Sequence, residues 1–194
     1  MTVAITRVYD TYWKAEQTVA KLKAVGIADS DISLIANRHV SSQYANVKDT
    51  HVAAGGAGVG AAVGGGAGLL AGIGLLAIPG LGPVVAAGWL GAAALGAVGG
   101  TLAGGIVGAL IDAGVPEAEA HVYSESIRRG GTMVTVRTID GNESVARSAM
   151  ESISPVNVET RRLEYQKTGW TKFDPHAPDY SLSEAEIERA RRQS

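Results

Sequence analysis

The chain has no cysteine, and its charges nearly cancel, to a formal net charge of −2. The lack of cysteine excludes disulfides, thiolate metal sites and a cysteine nucleophile. Because there is no overall basic field, the composition does not predict binding to nucleic acid. The first residues lack the basic and then apolar layout of a secretory signal, so we expect both ends of the chain in the cytoplasm.

Charge is also missing from the whole middle of the chain. Residues 52–111 contain no Asp, Glu, Lys, Arg or His, and they hold 20 of the 26 glycines. This block separates a charged first part, residues 1–51, from a charged second part, residues 112–166, and from a tail, residues 167–194. The distribution predicts one charged α+β domain in two halves, interrupted by an apolar insertion.

The first charged part predicts a β-α-β unit. Residues 3–9 are rich in β-branched and aromatic side chains, which favours a strand. A helix is expected to begin at Asp10 or Thr11, either of which can cap it, and to end at Gly26, which favours a left-handed stop. Residues 31–36 then alternate apolar and other side chains, which indicates a second strand.

The second charged part predicts another unit of the same kind. A helix is expected at residues 116–129, a strand at 131–138, a helix at 142–153 and a fourth strand at 156–161. Two right-handed β-α-β crossovers on one sheet produce a ferredoxin-like arrangement, with the helices on one face. The fold class predicted is therefore α+β, a ferredoxin-like domain split by the long insertion.

Glycine recurs with a period of four residues on both sides of the segment "IPGLGP". The residues of this glycine ladder are Gly56, Gly60, Gly64, Gly68, Gly72, Gly88, Gly96, Gly100, Gly104 and Gly108. A period of four follows the i, i+4 row of a helix, and a row of glycines lets a second helix approach closely. The pattern predicts a glycine-zipper helical hairpin, with helices near residues 53–78 and 84–110 and a reversal between them.

The length of these helices suggests a lipid environment. Each would measure about 38 Å at 1.5 Å per residue, which exceeds the roughly 30 Å hydrocarbon core of a bilayer. Basic residues, such as Arg38 before the hairpin and Arg128 after it, place both ends on the cytoplasmic side. We therefore expect a bacterial inner-membrane protein that assembles with itself and contacts the lipid bilayer.

One feature of the insertion keeps a second hypothesis open. Residues 53–68 contain only Val59 and Val63 as bulky side chains, so the first helix would insert weakly by itself. The alternative is a cytoplasmic assembly, a soluble homo-oligomeric particle or filament in which the hairpins are buried in the core.

The sequence contains no recognisable catalytic or metal-binding pattern. The four histidines lie in unrelated contexts without the spacing of metal ligands. The segment "GIGLLA", residues 72–77, fits the dinucleotide-binding spacing, but it lacks a preceding strand and a later acidic residue. We expect no catalytic residue, no metal, no cofactor and no small-molecule substrate, and we expect a non-enzymatic protein.

The tail contains three spaced aromatic residues, Trp170, Phe173 and Tyr180. They are followed by Ser183 and Glu186, which match a helix capping box. Spaced aromatic side chains in a terminal segment favour docking over disorder, so we expect the tail to lie against its own domain or a neighbouring one.

Two segments carry a resemblance to a known family. The stretch "GVPEAEAHVYSESIRRGGTMVTVR", residues 114–137, and "GWTKFDPHAP", residues 169–178, resemble bacterial proteins with a general-stress or heat-induced-stress domain and a central glycine zipper. The resemblance covers most of the chain. It implies a stress-associated, non-enzymatic protein and offers no catalytic residue to transfer.

Overall fold

The computed structural model of the chain describes residues 2–37, 74–78, 81–96, 105–139, 141–178, 180–181 and 183–184. Strands and helices are numbered separately in chain order. They are β1 (Thr2–Tyr9), α1 (Tyr12–Ala24), β2 (Ile32–Asn37), β3 (Gly74–Ile78), β4 (Gly82–Ala87), α2 (Trp89–Gly96), α3 (Gly105–Asp112), α4 (Glu117–Arg128), β5 (Thr132–Ile139), α5 (Glu143–Glu151) and α6 (Val158–Gln166). A single 3-10 turn, Asp29–Asp31, precedes β2.

The strands form one five-stranded sheet in the order β1-β5-β2-β4-β3, in which all neighbouring strands are antiparallel. Strand β5 pairs along its whole length with β1, from Tyr9 opposite Thr132 to Thr2 opposite Ile139. It pairs with β2 on its other side, from Ile32 opposite Val136. As a result β1 and β2 run parallel to each other with β5 between them, in a mixed α/β fold.

Helices cover both faces of this sheet. Helices α1 and α5 pack on one face, where Val19 and Met150 join Val134 of β5 in a buried cluster. Helices α2, α3 and α4 pack on the other face, where Leu90 and Ile127 belong to a second buried cluster. The helices of the two predicted β-α-β units, α1 and α5, share one face as expected. The other face is also covered by helices, because alternate residues of the central strands point to opposite faces and both sets are buried.

Local sequence signals account for most elements of the charged parts. The predictions for β1, α1, β2, α4, β5 and α5 are confirmed. The side-chain oxygen of Thr11 accepts a hydrogen bond from the backbone N–H of Lys14 at 3.3 Å and caps α1. Pro116 precedes α4, whose first turn contains Glu117 and Glu119, where acidic side chains interact favourably with the helix dipole.

The fourth strand predicted at residues 156–161 is wrong, because most of this segment lies in helix α6. The side chain of Asn157 accepts the backbone N–H of Thr160 at 2.9 Å and caps the helix. Only Val156 contacts the sheet through its backbone, since its N–H donates to the carbonyl oxygen of Val8 at 2.8 Å. The helix-forming residues that follow, "ETRRLEYQ", outweigh the short β-branched signal.

The helical prediction for residues 74–78 and 84–87 is also wrong, because residues 74–78 and 82–87 form the β3–β4 hairpin. Val84 and Val85 favour a strand, and Pro83 disfavours a helix interior. Strand β4 pairs with β2, where Leu34 lies opposite Ala87. This part of the apolar block therefore shares the sheet of the charged parts. Short apolar runs fit a buried strand and a buried helix equally well, so their periodicity does not distinguish the two.

Gly88 connects β4 to α2 in a conformation that only glycine adopts easily. Its φ is +87°, in the left-handed region. A Cβ atom at this position would overlap the carbonyl oxygen of Ile32 and lie 2.8 Å from the Cα of Ser33. Both contacts are with the backbone of β2, so they cannot be relieved by moving a side chain.

Replacing Gly88 by alanine is expected to destabilise the fold by about 2–5 kcal/mol, from left-handed backbone strain and overlap with β2. The control is Gly114→Ala, because Gly114 has a similar φ of +90° and open space around its Cβ position. The control is expected to cost only about 1–2 kcal/mol. Urea unfolding of both variants measures the difference, and equal losses would contradict the proposed clash.

Two buried tyrosines make the stability of the fold sensitive to high pH. The hydroxyl of Tyr9 donates to the carbonyl oxygen of Met150 at 3.0 Å, and that of Tyr123 donates to the carbonyl oxygen of Thr6 at 3.2 Å. Burial raises the pKa of each of these tyrosines to about 12. In the unfolded chain a tyrosine ionises near pH 10, so the unfolded state loses the proton first as pH rises.

The free energy of unfolding is therefore expected to fall between about pH 10 and pH 12, by about 1.4 kcal/mol per pH unit for each tyrosine. Below pH 10 both states keep the proton, and these groups add no pH dependence. Tyr9→Phe removes one of the two contributions. Urea unfolding at several pH values should show a shallower decline for this variant than for the wild type, and parallel declines would contradict the assignment.

Candidate functional site

The structure describes only part of the glycine ladder. Gly56, Gly60, Gly64, Gly68, Gly72, Gly100 and Gly104 lie outside the described residues. Of the remaining members, Gly88 precedes α2, Gly96 ends α2 and Gly108 lies within α3. No helix in the described ranges is both long enough and apolar enough to cross a membrane.

Helices α2 and α3 bury apolar side chains against other elements of the same chain. They contact each other, and Leu90, Ala94, Ile106 and Leu110 are buried in the cluster that they share with α4. These residues come from the apolar block and pack against residues of the charged second part. These four side chains are therefore occupied by contacts within the chain itself, whereas Ile111 of α3 is exposed.

The tail lies against α4 and α6 of the same chain. Phe173 is 4% exposed and belongs to the buried cluster on the α4 face of the sheet. The ring of Trp170 meets the ring of Tyr165 edge-on, with their centroids 5.5 Å apart. The ring of Tyr180 lies under the guanidinium groups of Arg128 and Arg129, at 5.5 and 5.2 Å.

A buried carboxylate organises this docking surface. Glu125 is 1% exposed and accepts hydrogen bonds from Arg128 at 2.9 and 3.0 Å and from Arg129 at 2.6 Å. Arg128 also donates to the carbonyl oxygen of Pro178 in the tail, at 3.1 Å. Burial by itself lowers the pKa of Arg129, but the hydrogen bond and charge of Glu125, together with Tyr180 and Tyr165, more than compensate, so the net pKa is raised. Arg129 therefore stays charged where the tail docks.

The sequence predicts that the aromatic tail residues dock on a domain, but it does not predict the surface on which they dock. The interpretation from sequence treated Arg128 and Arg129 as charges that flank a membrane hairpin. The available signal was their spacing, because Glu125 precedes them by three and four residues on one helix, which predicts ion pairs. That spacing could not reveal that the carboxylate is buried.

The structure also brings together a lysine and a serine that the sequence separates by 131 positions. In a shallow groove of about 480 Å³ between α1 and α5, the ammonium group of Lys21 donates to the hydroxyl of Ser152 at 2.8 Å. Catalytic lysines of this kind depend on a desolvated ammonium group. Here both residues are exposed, so the arrangement has the chemistry of a surface hydrogen bond.

Metal-binding chemistry has no support in the described ranges, where no cluster of three or more His, Asp or Glu could hold an ion. His121 and His176 are far apart in the chain, and His39 and His51 lie outside the described residues. The "GIGLLA" segment enters strand β3 at Gly74, whereas a dinucleotide-binding loop would open a helix after a strand.

The two outer strands of the sheet differ in how their edges are covered. At β1, the carbonyl oxygen of Val8 accepts the N–H of Val156 at 2.8 Å. The carbonyl oxygen of Thr6 accepts the hydroxyl of Tyr123 and the guanidinium of Arg7 at 3.2 and 2.8 Å. A crossing segment and a charged side chain are two means by which natural proteins block a sheet edge. The edge of β1 is therefore closed at Thr6 and Val8.

Strand β3 forms the opposite edge, and Pro83 determines which of its backbone groups point outward. Ala77 pairs with Pro83, which has no N–H to donate. Hydrogen-bonded and non-hydrogen-bonded pairs alternate along antiparallel strands, so Leu76 and Val84 form a hydrogen-bonded pair. The N–H and C=O groups of Leu75 and Ala77 therefore point away from β4. When the same alternation is followed strand by strand from β3 to β1, it correctly predicts that the carbonyl groups of Thr6 and Val8 point outward.

Comparisons of the chain with family models, with curated proteins and with solved structures find no match. The site must therefore be interpreted from its own geometry. That geometry consists of a closed sheet edge at β1, an uncharged edge at β3 and a tail docked on α4 and α6.

Truncating Phe173 is expected to release the tail from the rest of the chain. Phe173→Ala removes the buried ring, and a phenylalanine-to-alanine change in a core costs about 3–5 kcal/mol. Limited proteolysis followed by mass spectrometry should then show faster cleavage within residues 170–181. The control is Lys172→Ala, because Lys172 is exposed and its replacement should leave the cleavage rate unchanged. Equal rates for Phe173→Ala and wild type would contradict tail docking.

Proposed function

We propose that the protein is a non-enzymatic assembly protein whose copies associate through the uncharged block, residues 52–111. The observation that carries this proposal is that the block supplies β3, an uncharged strand at the outer edge of the sheet. An uncharged strand at a sheet edge is a template for pairing with another chain. The regular glycine ladder, which permits close approach between helices, supports the same function.

The described surface offers little to support a catalytic function. The groove between α1 and α5 contains one lysine, Lys21, and no carboxylate or histidine among its lining residues. The buried carboxylate of Glu125 is held by two arginines and lies under the docked tail. A buried, doubly paired carboxylate of this kind suits structure better than proton transfer. These contacts support a binding function over an enzymatic one.

Of the two environments that the sequence predicts, we propose the cytoplasmic homo-oligomer. A hairpin that crosses a bilayer twice needs about 40 apolar residues. Residues 74–78 and 82–87 are strands of the sheet, so they are not available for a transmembrane hairpin. The uncharged stretch before them, residues 52–73, is well short of the length needed for two passes. Attachment to the inner membrane is the alternative, and the experiment below distinguishes it.

We further propose a role in bacterial stress and a ferredoxin-like origin for the α+β core. The stress role is supported by the resemblance of residues 114–137 and 169–178 to general-stress domain proteins. The ferredoxin-like description of the core is supported by β1, α1 and β2, which form a β-α-β unit with β5 between its strands. In this description α6 occupies the chain position of the fourth strand, and the β3–β4 hairpin extends the opposite side of the sheet.

The purified full chain is expected to sediment as an oligomer without detergent. Gly64→Leu should reduce the oligomer mass, because a bulky side chain on the ladder prevents close helix approach. Gly100→Leu tests the second half of the ladder in the same way. Sedimentation velocity measures the mass, and circular dichroism establishes that each variant keeps its fold.

The matched control is Ala62→Leu, which places the same leucine side chain two residues from Gly64 and therefore on the opposite side of a helix. This variant should assemble as the wild type does. A monomeric wild type at about micromolar concentration would contradict self-assembly. Flotation of the wild type with vesicles of anionic bacterial lipid would instead identify the membrane as its partner.

A further inference from the structure

We propose that strand β3 pairs antiparallel with β3 of a second copy, around a two-fold axis at Leu76, so that two five-stranded sheets become one. The proposal rests on the self-assembly proposed above and identifies the contact that carries it. The partner that pairs with this sheet edge is a second copy of the same chain.

The two edges of the sheet determine where a second copy can add. The outward carbonyls of Thr6 and Val8 on β1 already accept hydrogen bonds from Tyr123, Arg7 and Val156. A strand added at β1 would have to break these bonds. In the described ranges, no side chain or crossing segment bonds to the outward groups of β3. Among these residues, the sheet can therefore extend at β3 without breaking a bond of the kind that covers β1.

The outward groups of β3 are arranged to pair with themselves. Leu75 and Ala77 have outward N–H and C=O groups, and Leu76 lies midway between them. If two copies meet antiparallel with Leu76 opposite Leu76, then Leu75 of each copy faces Ala77 of the other as a hydrogen-bonded pair. Within the strand, this register uses every outward backbone group. Such a contact is isologous and closes as a dimer.

The composition of β3 also permits this pairing. Its sequence, "GLLAI", has no charge and no proline, whereas edge strands that resist pairing commonly carry lysine or proline. Two identical uncharged strands meet without repulsion, because like charges opposite each other are what destabilise a cross-strand pair. The lack of charge on β3 is therefore compatible with pairing to β3 of a second copy.

The absence of native cysteine makes the register directly testable by crosslinking. In a non-hydrogen-bonded antiparallel pair the Cα atoms are about 4.5 Å apart, within the range that a disulfide spans. A full chain with Leu76→Cys is therefore expected to form a covalent dimer under a mild oxidant, visible on a non-reducing gel. The controls are Trp13→Cys and Leu163→Cys, which place the thiol at residues that are 63% and 51% exposed and distant from β3.

A second variant tests the edge without a crosslink. Ala77→Pro removes an outward N–H and leaves the β3–β4 hydrogen bonds in place, which proline tolerates on an edge strand. Its self-association is expected to weaken about tenfold or more, because backbone hydrogen bonds between copies are lost. The matched change Leu76→Pro removes an N–H that bonds to β4, so it should lower the unfolding midpoint as well.

The outcomes separate this inference from the function on which it rests. A monomeric wild type overturns both. An oligomeric wild type in which Leu76→Cys forms no more dimer than the two controls overturns the β3 contact and leaves self-assembly in place. Occupation of the edge by residues 52–73 of the same chain would give that second result. Selective dimer formation together with weakened association of Ala77→Pro supports the proposed pairing.

Discussion

The position of β5 between β1 and β2 is the constraint on which the rest of the structure depends. Its residues 132–136 are all buried, and Met133 and Val134 enter clusters on opposite faces of the sheet. A strand buried on both faces needs cover on both. Helices α1 and α5 provide one layer, and α2, α3 and α4 provide the other. The apolar block is therefore required by the core of the protein, in addition to any role it has between copies.

The same constraint connects the fold to the proposed assembly. Because β5 occupies the centre, β1 becomes one edge and is closed by Val156, Tyr123 and Arg7. The β3–β4 hairpin then extends the sheet on the far side of β2 and ends in an uncharged strand. Asn37, buried at the end of β2, donates to the carbonyl oxygens of Leu81 at 2.8 Å and Arg128 at 3.3 Å. This side chain joins the hairpin to the helix on which the tail docks.

The elements that were predictable from sequence are those with local causes. Helix α1 has its cap at Thr11, and β1 and β5 have β-branched runs between turn residues. The failures came from segments whose local signals compete. Residues 158–166 carry strand-like valine at the start but helix formers afterwards, and residues 74–87 are apolar without a decisive period. The aromatic tail residues were also predictable, whereas the buried Glu125 beneath them was not.

The sequence by itself determined the boundaries of the charged parts, the local caps and turns, and the presence of an uncharged, glycine-rich block. Each of these depends on residues close together in the chain. Only the tertiary structure decided that β5 inserts between β1 and β2, that residues 74–78 and 82–87 become strands, and that Glu125 is buried under the tail. The physical reason is that strand pairing and burial join residues far apart in the chain, such as Leu34 with Ala87 and Thr2 with Ile139. Local propensity contains no information about such partners.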